Sequence, residues 1–189
     1  MKIQQATVDD ADILAALCSE IQGLHIKLQP LIFREPSQQE LVDFFRERIS
    51  DPDYIAFLAS DGENALGYIV LHILRKPENV FAYSRNILEI DHIHITEKNR
   101  RQGICKKLFS KALEVARSFD IENIQLGVWA QNDRAISAFN ALGFKQQFHI
   151  MALEDKSKFE SGSRGDLPPS PHTTRHAGPH RAVREESGP

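Results

Sequence analysis

Residues 87–108, ILEIDHIHITEKNRRQGICKKL, decide how the rest of the chain can fold. Apolar, largely β-branched residues that run up to Ile95 predict a strand, and a short polar turn follows it. Gly103 then marks a loop at the start of an amphipathic helix whose apolar side carries Ile104 and Leu108. Such a loop presents backbone N–H groups at the positive end of a helix, so the stretch predicts a phosphate-binding strand–loop–helix unit.

This loop matches neither of two common phosphate-binding motifs. A P-loop requires Gly-x-x-x-x-Gly-Lys-Ser/Thr, which the chain does not contain. A Rossmann loop requires three glycines, and only Gly103 is present here. A phosphate group must therefore be held by residues 100–105, RRQGIC, in some other way.

The composition is that of a globular protein. The 189 residues are 41% hydrophobic and 26% charged, and they predict one domain. A net charge of −3 gives no reason to expect nucleic-acid binding, and no apolar run reaches the ~20 residues of a membrane span. The first residues lack the apolar core of a signal peptide, and Cys18 and Cys105 form no disulfide framework or metal site. We therefore expect a cytoplasmic location.

Strand and helix signals alternate along the remaining chain. Predicted strands cover 2–6, 54–60, 66–74, 87–95, 123–129 and 145–153. Four helices are predicted. The first begins after Thr7 and ends near Gly23, the second begins after Ser37, the third begins after Gly103, and the fourth covers 132–142. Residues 24–36 are predicted to be a loop. The helix after Gly103 joins two neighbouring strands, which predicts a right-handed βαβ crossover.

This order predicts an α/β (α+β) fold over residues 1–153, a three-layer α/β/α domain with a mixed, mostly antiparallel central sheet. Residues 154–189 contain five of the nine prolines and almost no large apolar residue. They cannot bury enough surface to offset the entropy of ordering, so we predict a disordered tail. Three tail histidines, His172, His176 and His180, are spaced four apart, but prolines and a glycine break any helix there, and no metal site is predicted.

Two motifs, in the right order, make residues 1–153 resemble the GNAT acetyltransferases. RRQGIC at 100–105 is similar to the family's Gln/Arg-x-x-Gly-x-Gly/Ala cofactor loop. NDRA at 132–135, followed by Phe139 and by LGF at 142–144, looks like its Asn-x-x-Ala…Tyr-x-x-x-Gly-Phe element. A narrower match, HIKLQPLIF at 25–33, resembles a loop of small bacterial-type GNAT enzymes, where the family places much of its acceptor site.

The resemblance implies acetyl-CoA as the acetyl donor. The implied cofactor-binding residues are Ile93, His94 and Ile95 on the strand, Arg100, Arg101, Gln102, Gly103, Ile104 and Cys105 in the loop, and Asn132. His25 and Phe33 are the implied substrate-binding residues. Gly103 and its neighbouring arginines could instead form a plain turn with solvated charges, and Asn132 is also a good N-cap.

The chain departs from the family where proton transfer is concerned. Many members have a carboxylate five residues before the Asn and a Tyr seven residues after it, but Gly127 and Phe139 stand here. Neither can move a proton. The candidate catalytic groups are therefore Glu89 or Asp91 as base and Tyr83 as acid, with a structural carboxylate paired to a cation as the alternative for Glu89 and Asp91.

The strand period adds an expectation about faces. Without a bulge, Glu89, Asp91, Ile93 and Ile95 share one face of the strand, and His92 and His94 lie on the other as core residues. A β-bulge, which the family often has here, would change this facing. Cys105 is expected to fill space rather than to react.

The implied activity is an N-acetyltransferase, an acyltransferase that acts on a primary amine. The acceptor is either a small cationic amine or a peptide or protein amine, such as an N-terminus or a lysine. The missing groups at 127 and 139 leave a second hypothesis open, an acyl-CoA-binding protein with little or no catalysis. No nucleic acid or membrane is expected as a partner, and the resemblance is compatible with a homodimer.

Overall fold

The computed structural model describes residues 1–153, which fall into two compact units that divide after Lys145. The first unit contains nine elements besides two short 3-10 turns. They are β1 (Lys2–Gln5), α1 (Ala11–Leu28), α2 (Gln38–Ser50), β2 (Tyr54–Asp61), β3 (Asn64–Lys76), β4 (Arg85–Ile95), α3 (Ile104–Ser118), β5 (Asn123–Leu126) and α4 (Asp133–Ala141).

The five strands form one sheet in the order β1-β2-β3-β4-β5. The first three pairings are antiparallel, and β4 pairs with β5 in parallel, with α3 as the connection between them. One core packs α1 and α2 on the sheet around Leu14, Phe45 and Tyr68. The other packs α3 on the opposite face around Leu88 and Leu108. The predicted α/β/α architecture with a mixed, mostly antiparallel sheet is confirmed.

Local capping signals form as the sequence predicts. The Ser37 hydroxyl accepts from the Glu40 backbone N–H at 3.2 Å, and the Glu40 carboxylate accepts from the Ser37 backbone N–H at 2.7 Å. At the other end of the domain Gly143, with φ of +95°, ends α4, and the Phe144 N–H donates to the Phe139 carbonyl. These caps fix where α2 begins and where α4 ends.

A β-bulge interrupts β4 at Asp91. Val70 of β3 lies opposite His92 and Leu71 lies opposite Ile90, which leaves Asp91 without a cross-strand partner on β3. The extra residue reverses the alternation beyond it. His92 therefore joins Glu89 and Asp91 on the face under α1 and α2. The facing expected for a strand without a bulge does not apply, because the bulge named as the alternative is present.

Ile93 and Ile95 correspondingly pack on the α3 side of the sheet, with the second core. His94 is buried on the α1 side, where its Nε2 lies 3.3 Å from an oxygen of Glu20. The bulge therefore places Glu89 and Asp91 on the opposite face from Ile93 and Ile95, and on the same face as His92 and His94.

Three elements differ from the prediction. Strand β5 ends at Leu126, whereas the predicted strand runs to 129. Helix α1 continues past Gly23 to Leu28, because Leu24, Ile26 and Leu28 are good enough helix formers for the chain to tolerate one glycine, and His25 consequently lies on a helix. No strand forms over the predicted residues 145–153, although the alternation there suits one. A period of two specifies the faces of a strand but supplies no partner edge. The predicted tail, 154–189, lies outside the described residues.

Among residues 1–153, no helix has both the length and the apolar character that crossing a bilayer requires.

Candidate active site

The two parallel strands separate on one side of the sheet. Their pairing runs from Ile87 opposite Asn123 to Ile90 opposite Leu126 and stops there. Beyond this point β4 continues through the Asp91 bulge to Ile95, still paired with β3 but with an open edge toward β5. A cavity of about 580 Å³ occupies this region, and its lining comes from α1, the following loop, α2, β4, the segment after β5, and α4.

The loop between β4 and α3 has the geometry that the sequence predicts. Gly103 is the N-cap of α3 with φ of +77°, and Arg101 has φ of +61°. A Cβ atom placed on Gly103 would have no atom within 4 Å, so the space beside this residue is open to a ligand or to water. The first N–H groups of α3 have no intrahelical acceptor, as at any helix start, which makes this end suitable for a phosphate group.

The two arginines of the loop have different roles. Arg100 donates from Nε to the carbonyl of Ile95 at 3.0 Å and lies 3.7 Å from Glu97, so its charge fastens the loop to the end of β4. Arg101 is exposed. Burial raises the pKa of the Cys105 thiol, so this residue stays protonated at neutral pH.

A close approach of two strands holds the end of β4 in position. Gly67 of β3 lies opposite Ile95, and a Cβ there would collide with the His94 carbonyl oxygen and lie 3.0 Å from the Ile95 Cα. Only glycine permits this contact. The segment 93–95, which the sequence assigns to the cofactor, is thus positioned by a residue on the neighbouring strand.

Asn132 lies on the opposite wall of the cavity. Its Oδ1 accepts from the backbone N–H of Ala135 at 3.2 Å, which makes it the N-cap of α4. The side-chain amide nitrogen keeps two N–H donors for a ligand. Phe139 also lines the cavity and packs edge-on against Phe144 at 5.8 Å, so it replaces a hydroxyl with a plain apolar wall.

The predicted carboxylates have separate positions. Asp91 lines the cavity and forms an ion pair with Arg48 of α2, with Nε–Oδ2 at 2.9 Å. The Arg48 guanidinium also lies over the Phe44 ring at 3.5 Å from its centre. Glu89 lies outside the cavity lining, with an oxygen 3.8 Å from His72 Nδ1. Asp91 therefore has the arrangement of a structural carboxylate paired to a cation, which was the alternative to a role as base.

Tyr83 lies apart from these groups. Its side chain is 86% exposed, in the loop before β4, and it is not among the residues that line the cavity.

The substrate-binding candidates meet at the mouth of the cavity. His25 of α1 stacks on Phe33 with ring centres 5.1 Å apart, and Trp129 meets Phe33 edge-on at 5.5 Å. Burial lowers the pKa of His25, so the ring is neutral near pH 7. Arg34 and Glu40, which also line the cavity, neutralise each other in a salt bridge of 2.6 Å.

His92 is the cavity residue that sequence reasoning misplaced. It was expected in the core, but the bulge turns it toward α1 and α2, where it lines the cavity next to Asp91. Its Nδ1 lies 3.4 Å from the Tyr68 hydroxyl, and burial lowers its pKa. Arg48 and Trp129 were missed as well. Only the position of the bulge would have indicated His92, and no residue pattern in β4 marks a bulge.

Comparison with known proteins gives a consistent result. The family model described as Acetyltransferase (GNAT) family matches residues 24–144. An uncharacterized N-acetyltransferase in the pepI 3' region of Lactobacillus delbrueckii subsp. lactis is 27% identical over 134 residues, which cover 65% of this chain and 75% of the relative.

Solved structures share the fold. A tetramutant of the BH1408 protein from Bacillus halodurans superposes with a TM-score of 0.77 at 24% identity, over 81% of this chain and 99% of that one. A protein from Clostridium acetobutylicum, described as a predicted acetyltransferase with acetyl-CoA, superposes with a TM-score of 0.63 at 13% identity, over 83% and 97% of the two chains.

Proposed function

This chain belongs to the GNAT acetyltransferase family and is an acyltransferase. We propose that it moves the acetyl group of acetyl-CoA directly to a primary amine. One observation carries the proposal. The pairing of β4 and β5 stops at Ile90 and Leu126, and a cavity of about 580 Å³ lies where it ends, lined by residues of both strands. An acyl donor and an acceptor can reach each other there from opposite ends.

The donor end of the site is the loop before α3. The N–H groups of residues 101–105 would hold the diphosphate of coenzyme A, because they stand at the positive end of a 15-residue helix. Arg101 adds charge at the surface. Arg100 keeps the loop against the end of β4 through its bond to the Ile95 carbonyl.

The acyl-carrying arm would lie between the separated strands. Residues 93–95 offer main-chain donors and acceptors on the open edge of β4, and Asn132 offers its side-chain amide from the other wall. When bound, acetyl-CoA supplies an activated thioester. A backbone N–H near the bulge would stabilise negative charge that develops on its carbonyl oxygen.

The acceptor end is lined by rings and by charges that are already paired. His25, Phe33 and Trp129 form one side. Glu40 and Asp91, the carboxylates that line the cavity, are bound to Arg34 and Arg48 respectively. This arrangement supports a primary amine carried on a flat, largely apolar body more than a small amine with several charges.

The second hypothesis, an acyl-CoA-binding protein with little catalysis, rests only on Gly127 and Phe139. Gly127 lines the cavity, and Phe139 forms part of its wall. No observation on the described residues favours it over acetyl transfer.

A panel of primary amines tests the proposal. Purified protein is incubated with acetyl-CoA and single amines that range from polyamines to arylalkylamines and lysine peptides, and acetylated product is detected by mass spectrometry. Acetylation of an amine, fastest with an apolar or aromatic body, is the expected result. Binding of acetyl-CoA with no acetylated amine in any reaction would support the second hypothesis instead.

A further inference from the structure

Cys18, Tyr68 and His92 form a series of hydrogen-bonded side chains on the face of β4 under α1 and α2. The catalytic candidates predicted from the sequence do not include His92. His92 follows the bulge, lines the cavity and contacts both the Phe44 and the Phe45 ring, whose centres lie 5.4 and 6.0 Å from its own. Its Nδ1 lies 3.4 Å from the Tyr68 hydroxyl, which is buried beside the Cys18 thiol. No described residue hydrogen-bonds to its Nε2.

We propose that His92 is the proton acceptor of the acetyl transfer, with Nε2 facing the acceptor amine and Nδ1–H donating to Tyr68. This inference rests on the proposed function, because it assigns a role at the same site. Tyr68 is then a positioning residue, since its hydroxyl accepts from Nδ1–H and donates its own O–H to the Cys18 sulfur. That tautomer leaves the lone pair of Nε2 available.

The surroundings keep the ring uncharged before the reaction. Burial is the main effect that lowers the pKa of His92. The charged and titratable groups that face it are Asp91 on its own strand, Arg48 on α2, His25 and Cys18 on α1, and Tyr68 on β3. Asp91 raises the pKa, while Arg48 and His25 lower it further. Asp91 thus acts on the imidazole, and its own bond to Arg48 does not need to break.

The proton and electron balance is closed. The amine arrives as R–NH₃⁺, and His92 Nε2 takes one proton to give the neutral amine. The nitrogen lone pair forms the N–C bond to the acetyl carbonyl carbon, and the C–S bond breaks, with its electron pair leaving on sulfur. The second nitrogen proton ends on that sulfur as the thiol. The imidazolium then returns its proton to water.

The dependence of kcat/KM on pH tests this assignment with the full chain and one amine from the panel. An alkyl amine has a pKa of about 10.4, so without a base on the protein kcat/KM rises tenfold per pH unit up to that value. With His92 as base, kcat/KM is level from about pH 7 to 9 and falls only below the pKa of the imidazole, which lies under its usual ~6.5.

Two variants and one matched control separate the candidates. His92→Gln should lower kcat/KM at pH 7 by roughly 100-fold or more and replace the level region by a continuous rise with pH. His72→Gln is the matched control, since His72 lies on the same face of the sheet outside the cavity, and it should stay within about twofold. Asp91→Asn should retain a level region but shift its acid limb to lower pH, because Asp91 raises the pKa of His92.

The assignment is overturned if wild type acetylates an amine with no level region, if His92→Gln keeps that region, or if the acid limb lies near pH 4 and only Asp91→Asn removes it. In all three outcomes acetyl transfer itself stands, whereas no acetylated amine at all removes both proposals. Nitrogen NMR of wild type provides a measurement that needs no variant. It should show His92 as the Nδ1–H tautomer at pH 8, and a predominant Nε2–H tautomer contradicts the proposal.

Discussion

The Nε atom of Arg48, near the end of α2, lies 2.9 Å from Oδ2 of Asp91, the bulged residue of β4. The pair connects α2 to the place where the register between β3 and β4 shifts. Both side chains are about a quarter exposed, at 24% and 23%, so each charge depends on its partner more than a surface charge does.

Removing one member of this pair should destabilise the domain. Asp91→Ala leaves Arg48 without its acceptor, and we expect a loss of about 1–3 kcal/mol in the free energy of unfolding, measured by urea titration. Arg48→Met with Asp91→Ala should cost less than the sum of the single changes, because no unpaired charge is left. Strict additivity of the two would show that the pair is not coupled.

The close approach of β3 and β4 makes a second prediction. Gly67→Ala forces the His94 carbonyl and Ile95 to move, so we expect a loss of roughly 1–3 kcal/mol in stability and weaker acetyl-CoA binding by calorimetry. Gly23→Ala is the control. Its position inside α1 has open space around it, and it should stabilise the protein by about 0.5–1 kcal/mol with unchanged binding.

Gly103 and Gly143 both have a positive φ, so comparing their variants distinguishes the effect of backbone strain on stability from an effect on ligand binding. Gly103→Ala and Gly143→Ala each place a Cβ in the left-handed region without a clash, and each should cost about 1–2 kcal/mol of stability. Only the first should also lower the affinity for acetyl-CoA, because Gly103 begins the helix that faces the diphosphate. Equal binding by both variants would argue against a phosphate site at α3.

How much of this could be read from the sequence depends on the kind of signal. Ser37 with Glu40, and Gly143 with Phe144, are local hydrogen-bonding patterns, and both formed as predicted. The bulge at Asp91 is not local, because it arises from the register between β3 and β4. It decided the facing of His92 and Ile93, so an alternating pattern could not predict which side chains of β4 lie on each face of the sheet.

Helix α1 shows the same limit at a smaller scale. Gly23 is a plausible C-cap by composition, but nothing at its position requires a glycine, and the helix-forming residues that follow continue the helix to Leu28. His25 therefore reaches Phe33 from a rigid element rather than from a loop.

The capping salt bridge at the start of α2 gives a prediction about acid stability. The Arg34 guanidinium, and the backbone N–H and hydroxyl of Ser37, lower the pKa of Glu40 from 4.5 to about 2. Because the folded pKa is the lower one, the stabilisation is complete above pH 4.5 and is lost as the pH falls toward 2. Glu40→Gln should therefore lower stability at pH 6 but show a smaller further loss between pH 4.5 and pH 2, in urea titrations at each pH. Parallel curves for the two proteins would rule out this linkage.

In the proposed complex, acetyl-CoA lies between β4 and β5 with its diphosphate at the start of α3, and hydrogen–deuterium exchange measures this most directly. Saturating acetyl-CoA should slow exchange at the backbone amides of residues 93–95 and 101–105 and leave β1 and β2 unchanged. Protection elsewhere in the described domain, or none at these two segments under saturation, would contradict the account.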